Sequence, residues 1–391
     1  FDSTVDVGRF QNVASLVGLT SKGPNQAGGS IFDDFTGDGL PDLFTTSLDV
    51  DRGASLFVNR GDGTFEDCSD EAGLVDQIYA LNVASADFDN DGNLDVVLLR
   101  GGWEKPMRLS LLRNVGNGTF EDITIASGLA EPIATEAAVW GDYDNDGLVD
   151  LFVCGEFRSP FSNGPTALPD TRNRCRLYHN EGHGKFVDVA RAAGVADEQC
   201  SKGAAWGDYN GDGRLDLFVS NMNGPCRLYH NESNGVFRDV AHEQGVTGPD
   251  HGFACWFWDY DNDGQLDLYV NDYTSSLAEF VAVALDVPLK RSSRPRLYRN
   301  AGAEGFQDVT QDVGLDRMIM PMGCNFGDID NDGFLDLYLG TGRMALEALV
   351  PNVMFKNDAG QRFDDVTMSS GTGHLQKGHG VSFADWDCDG D

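Results

Sequence analysis

DFDNDGNLD, residues 87–95, puts carboxylates at its first, third, fifth and ninth positions and a glycine at its sixth. Two like charges about 4 Å apart repel by roughly 4 kcal/mol even at an effective dielectric near 20, so four of them in nine residues call for a cation. Oxygen donors of this kind suit a hard divalent ion, and glycine at position six permits the sharp turn that gathers them.

The stretch recurs as DFTGDGLPD at 34–42, DYDNDGLVD at 142–150, DYNGDGRLD at 208–216, DYDNDGQLD at 259–267, DIDNDGFLD at 328–336 and a partial DWDCDGD at 385–391. Successive first aspartates are 51 to 69 residues apart, so length varies in the connections and not in the motif. A second repeat alternates with the first: an apolar stretch, Asn, a Gly turn, a Phe-x-Asp-Val-like segment and a closing Gly-Leu or Gly-Val. It is seen in LFVNRGDGTFEDCSDEAGL from Leu56, RLYHNEGHGKFVDVARAAGV from Arg176 and RLYRNAGAEGFQDVTQDVGL from Arg296.

Each unit therefore predicts four short strands: one before the acidic loop, one after it, and two joined by a Gly-containing hairpin turn. Seven such units specify an all-β fold, a seven-bladed β-propeller of four-stranded antiparallel blades that fills residues 1–391 as one domain. The partial repeat FQNVASLVGL from Phe10 precedes any first strand, so its segment 10–13 is expected to close the seventh blade and cover its edge. That blade is expected to be incomplete here, because Asp391 falls inside its acidic loop. Aromatics stand two residues before the first loop aspartate in six of the seven units, Phe32, Trp140, Trp206, Phe257, Phe326 and Phe383, with Ser85 the departure, and are expected in the core.

In each loop the side chains at one, three, five and nine and the backbone carbonyl at seven are the candidate ligands. These are Asp34, Thr36, Asp38, Leu40 and Asp42 in the first loop, and Asp87, Asp89, Asp91, Asn93 and Asp95 in the second. The third has Asp142, Asp144, Asp146, Leu148 and Asp150, and the fourth Asp208, Asn210, Asp212, Arg214 and Asp216. The fifth has Asp259, Asp261, Asp263, Gln265 and Asp267, the sixth Asp328, Asp330, Asp332, Phe334 and Asp336, and the partial seventh Asp385, Asp387 and Asp389. β-rich runs follow each loop where an EF-hand needs a helix and a glutamate at position twelve. All-oxygen ligation favours Ca²⁺, with about six or seven structural ions expected. Thr36 and Asn210 lower the charge of their loops, so those sites should bind more weakly. Six bound Ca²⁺ would move the net charge from −35 to about −23.

The 63 acidic residues against 28 Lys and Arg argue against nucleic acid and anionic membranes as partners. No membrane-length apolar run occurs, and the first residues do not read as a signal peptide, so a signal would have been removed before Phe1. Three long connections on the face opposite the acidic loops are the expected carriers of recognition: GEFRSPFSNGPTALPDTRNR from Gly155, NDYTSSLAEFVAVALDVPLKRSSRPR from Asn271 with a short helix expected at 277–286, and GTGRMALEALVPNV from Gly340. Arg158, Arg172, Arg174, Lys290, Arg291, Arg294 and Arg296 lie in them, and Lys202, His251, Lys377 and His379 in nearby connections, a set that would suit an anionic ligand. Disulfides between Cys154 and Cys175 and between Cys200 and Cys226 would close loops on that face, while Cys255 and Cys324 read as small core or channel-lining residues. Arg60-Gly61-Asp62 falls where the repeat needs its Gly turn, and Asn117 and Asn231 head glycosylation acceptor triplets.

The alternation of DYDNDGLVDLFV with RLYHNEGHGKFVDVARAAGV resembles the FG-GAP/VCBS repeat propellers, in particular the extracellular calcium-binding group of cartilage acidic protein and the ASPIC/UnbV-associated bacterial proteins. A looser, integrin α-like resemblance rests on the acidic loops alone. The resemblance implies a seven-bladed propeller with Ca²⁺ in the first hairpins and an extracellular, cell-surface or periplasmic location. No ASPIC/UnbV-like C-terminal segment is expected within residues 1–391. The function expected is a non-catalytic recognition, adhesion or scaffold module with a protein or carbohydrate ligand on the insertion face. The alternatives are a lyase-type polysaccharide enzyme or lectin using that basic face, and a self-assembling fibre subunit; no nucleophile, HExxH or phosphate-loop motif supports catalysis.

Overall fold

The computed structural model describes residues 5, 7–20, 28–102, 104–156, 174–273, 285, 287, 294–342, 350–375 and 378–390. They form two compact units, one of residues 12–200 with 382–391, the other of 1–11 with 201–381.

The first unit contains three antiparallel sheets of four strands, each a meander in chain order. In the first sheet the strands are Ser30–Asp33, Asp42–Thr45, Ser55–Asn59 and Phe65–Asp67. The others span 82–122 and 138–188. The second strand of the middle sheet, Asp95–Leu99, shows why these sheets stack: all five residues are buried. Side chains alternate across a strand, so Val96 and Leu98 join one core with Phe44, Leu56 and Phe120, while Val97 and Leu99 join another with Leu151, Tyr178 and Phe186. Burial of both faces of a twisted four-stranded sheet is what a propeller blade requires.

The second unit repeats this with sheets spanning 200–239, 252–308 and 321–365. Leu268 and Val270 face one core with Phe218 and Leu228, and Tyr269 faces the other with Leu337 and Phe355. The aromatics expected in the core are half-buried: Trp140 stacks on Phe88, and Phe326 packs against Trp256 and Trp258. After the fourth strand a single helical turn, such as Ala190–Ala193, ends on a left-handed glycine, Gly194 at φ 83°, which accounts for the Gly-Val and Gly-Leu closures.

The described residues thus form six blades, not seven. The seventh acidic loop is folded, yet among the described residues no sheet is built from it, because a strand exists only through its ladder and no described strand pairs with it. For the same reason 10–13 forms no strand: the Phe10 N–H bonds to the Ser370 carbonyl at 2.9 Å. In the first unit, Val17 O accepts the Phe65 N–H at 2.7 Å, as Ala72 O accepts the Phe120 N–H of the following blade. Both expected disulfides are absent, and all eight cysteines are thiols. Cys154, Cys175 and Cys226 are fully buried and Cys200 nearly so, filling space as small apolar side chains do. Apart from Leu285, which lies in a turn, the residues of the helix expected at 277–286 lie outside the described residues. Among the described residues no helix is long and apolar enough to cross a membrane.

Candidate metal-binding loops

Each of the first six acidic loops joins the first and second strands of its blade, and the shape of all seven comes from hydrogen bonds of their own aspartates. In all seven loops the first aspartate accepts the N–H groups of positions five and six; in the second, Asp87 takes Asp91 N–H at 3.0 Å and Gly92 N–H at 2.9 Å. Position six sits at φ 83–91° in every copy, where only glycine is unstrained, and position four is also left-handed, which explains its Asn or Gly. Cys388 takes that place in the seventh loop at φ 57°.

The ninth aspartate has a different task. Asp42, Asp95, Asp150, Asp216, Asp267 and Asp336 are all 0% exposed. One oxygen accepts the backbone N–H of an asparagine that ends the third strand, Asn59, Asn114, Asn180, Asn231, Asn300 or Asn357, at 2.7–2.8 Å. The other oxygen accepts the N–H of position two in five loops, but Asp216 Oδ2 is buried without a partner. Burial pushes the carboxyls of Asp95, Asp267 and Asp336 up to about 7 against the pull of these N–H donors.

The strand-three asparagines connect blades within a unit. Asn114 Nδ2 donates to Phe35 O of the preceding loop and Asn180 Nδ2 to Phe88 O, both at 2.8 Å. Asn300 and Asn357 do the same to Tyr209 O and Tyr260 O. Asn59 donates to Trp386 O at 2.7 Å, so the seventh loop stands beside the first blade as any preceding loop would. Asn231 is buried, its Nδ2 donating to Leu215 O at 3.1 Å, which removes it as a glycosylation acceptor, whereas Asn117 lies exposed in a turn.

What remains for an ion are the oxygens at positions one, three and five, joined in places by nine. Single oxygens from Asp142, Asp144 and Asp146, from Asp259, Asp261 and Asp263, and from Asp328, Asp330 and Asp332 lie within 4.8 Å of one another. So do those of Asp87, Asp89 and Asp95, and those of Asp144 and Asp150 with a His179 nitrogen. At position three, Thr36 Oγ1, Asp89 Oδ1, Asp261 Oδ1 and Asp330 Oδ1 are buried with no hydrogen-bond partner. A buried carboxylate oxygen left unpaired costs about 1–3 kcal/mol or more, which a coordinating cation removes. The donor set therefore fits a hard metal ion.

The nine-residue motif by itself does not disclose the asparagine junction or a second partner. The residue before that asparagine is Arg113, His179, His230, Arg299 or Lys356 in five blades, where it reaches into the loop, and the core residue Val58 in the first. Arg113 Nε lies 2.7 Å from Asp89 and its Nη2 3.0 Å from Asp91; Arg299 repeats this with Asp261 and Asp263 at 2.7 and 2.8 Å. The signal was present in the repeat as a basic residue before Asn.

On the insertion side, Arg158, Arg172, Lys290, Arg291 and Lys377 lie outside the described residues. The described members are largely occupied. Arg174 pairs with Asp188 at 2.7 Å, Arg296 with Asp308 at 3.3 Å, and Arg294 with Asp316; Lys202 is buried with its ammonium 5.7 Å over the Phe253 ring. Within the Arg60-Gly61-Asp62 turn, Arg60 pairs with Glu66 and Asp62 holds Thr64.

Four-stranded antiparallel blades, each opened by an acidic loop, define the class as a repeat β-propeller. The chain belongs to the FG-GAP-like repeat family, whose pattern matches residues 34–98, 99–153, 166–219, 208–270 and 278–339. It is 29% identical over 318 residues to cartilage acidic protein 1 of Mus musculus, covering 79% of this chain and 42% of that protein. The chain thus spans under half the length of the curated relatives it matches. Among solved structures, it is similar to the V. cholerae biofilm matrix protein Bap1 (15% identity, TM-score 0.38, 72% of this chain and 38% of the other). It is also similar to the exotype rhamnogalacturonan lyase YesX (13% identity, TM-score 0.43, 81% and 44%).

Proposed function

We propose that this chain is a calcium-stabilised, non-catalytic β-propeller module that works outside the cell as a recognition, adhesion or scaffold element. The observation that carries it is the set of buried, unpartnered oxygens at position three, Asp89 Oδ1, Asp261 Oδ1 and Asp330 Oδ1, each in a loop whose carboxylates converge. Positions one, three and five with the carbonyl at seven would hold the ion, and the ninth aspartate would anchor the loop and add an oxygen where it reaches. A hard ion supplies positive charge to a crowded carboxylate loop, and six or seven of them tie the first two strands of each blade together. Ca²⁺ suits this better than Mg²⁺, which demands a tighter octahedron and keeps its waters.

An extracellular site of action is supported by millimolar free Ca²⁺ being found there, by the acidic composition, and by relatives named for cartilage. The ion pairing of Arg174, Arg294 and Arg296 supports the non-catalytic reading over a lyase that needs exposed base to neutralise a uronate. Calorimetric titration of chelator-treated protein with CaCl₂, repeated with MgCl₂, tests the reading. Several Ca²⁺ bound per chain in preference to Mg²⁺ is the expected result, and no heat up to 5 mM Ca²⁺, roughly the weak end of extracellular modules, would overturn it.

A further inference from the structure

The acidic loops differ in charge, and so do the residues that face them from the third strand. Where position three is aspartate, the facing residue is Arg113, His179, Arg299 or Lys356; where it is uncharged, as at Thr36 and Asn210, the facing residue is Val58 or His230. The contacts are direct. Arg113 and Arg299 each span positions three and five, and Lys356 pairs with Asp330 and lies 3.2 Å from Asp332. His179 instead reaches Asp144 at 3.4 Å and Asp150 at 3.2 Å, and His230 reaches Asp216 at 3.0 Å.

The ion pairs use only half of each position-three carboxylate. Asp89 and Asp261 give Oδ2 to the guanidinium, and Asp330 gives Oδ2 to the ammonium, while each Oδ1 stays buried without a hydrogen-bond partner. The basic side chain therefore leaves the ion's place open and lowers the charge around it. With histidine counted as neutral, four carboxylates less one cation leave three negative charges in the second, fifth and sixth loops, and three carboxylates without a facing cation leave three in the first. The third loop keeps all four. The fourth is lowest, because Arg214 Nη2 sits 2.5 Å from Asp212 and leaves two.

We propose that the residue before the strand-three asparagine is a built-in counter-charge that lowers the divalent-ion affinity of its loop, so that, with Arg214 acting in the fourth loop, the third loop binds tightest and the fourth weakest. This rests on the reading of the loops as calcium sites. A divalent ion feels each added positive charge twice over, and within one loop that interaction is strong even near the surface. Removing the counter-charge tightens binding; removing a carboxylate weakens it. Arg113 and Arg299 are about 40% exposed, so a neutral replacement of similar length leaves the blade's core untouched.

Calcium titration by calorimetry, with circular dichroism as the check on folding, decides this. The double variant Arg113→Gln with Arg299→Gln is expected to shift two sites to roughly tenfold tighter Ca²⁺ binding, with the gain shrinking in 0.5 M salt. Arg113→Lys is expected to bind as the wild type, because it keeps the charge. Thr36→Asp, which adds a carboxylate where no cation faces the loop, is expected to tighten the first site by a similar factor, and it decides the matter if the glutamine variants lose their fold. Titrations of the glutamine variants that superimpose on the wild type, or that weaken, overturn the counter-charge while wild-type binding keeps the calcium reading. A wild type that binds no Ca²⁺ overturns both.

Discussion

The second and third acidic loops carry the same four aspartate positions and differ in one neighbour. Asp87, Asp89, Asp91 and Asp95 face Arg113, whereas Asp142, Asp144, Asp146 and Asp150 face His179. The guanidinium clamps positions three and five, while the shorter imidazole lies between three and nine. The backbone frame is the same in both, set by position one on the turn and position nine on the asparagine. The loop is thus built in two layers: a buried hydrogen-bonded frame that each blade shares, and an exposed charge balance that each blade adjusts.

The frame should matter most. Replacing Asp95 or Asp150 with alanine strands two buried N–H groups each and is expected to cost roughly 3 kcal/mol or more, lowering the melting temperature by several degrees in urea- or heat-monitored unfolding. Asp216→Ala breaks the symmetry, since Asp216 Oδ2 accepts no hydrogen bond, and is expected to cost less. Equal losses at all three positions would dissolve the distinction between frame and charge balance.

Ion removal comes next. Chelation is expected to lower the melting temperature by several degrees in calorimetric scans, because each site filled to 100 times its dissociation constant stabilises by about 2.7 kcal/mol. A melt unchanged by chelator would mean that Arg113, Arg299 and Lys356 already satisfy their loops without an ion.

pH sharpens the same point. The carboxyls of Asp95, Asp267 and Asp336 are raised by burial to about 7, so the folded, metal-free protein holds their protons more tightly than the unfolded chain. That stabilisation is fully present below the ordinary value of 3.8 and is lost as pH rises through about 7. In chelator, melting temperature is expected to fall between pH 5 and pH 8, and with saturating Ca²⁺ to rise; parallel slopes would show that the ninth aspartates do not sense the ion.

The smallest effect concerns the thiols. Cys255 is buried and its thiol pushed up to about 12 by that burial, whereas Cys388 is exposed in the seventh loop. Alkylation of native protein at pH 8, read by mass spectrometry, should modify Cys388 and spare Cys255.

The acidic loops, the four strands per unit and the hairpin turns were legible because each depends on neighbours within about a dozen residues. An Asp-x-Asp-x-Asp-Gly run shapes itself through its own N–H groups, and a two-residue alternation declares a sheet face. The blade count depends on pairing between whole strands: the repeat predicts seven blades with the seventh incomplete, and six sheets form among the described residues, where the seventh loop pairs with no strand.

Nor could sequence show what Asp95 and Asn114 are for. As a ligand, Asp95 reads like Asp89; in three dimensions it is a buried acceptor for two backbone N–H groups. Arg113, eighteen residues beyond Asp95, reads as an ordinary surface arginine until the sheet folds it over Asp89. Local chain chemistry determined where the negative charge is gathered. Only the tertiary packing decided which of it is buried and which is balanced, because both depend on side chains brought together by neighbouring strands and blades.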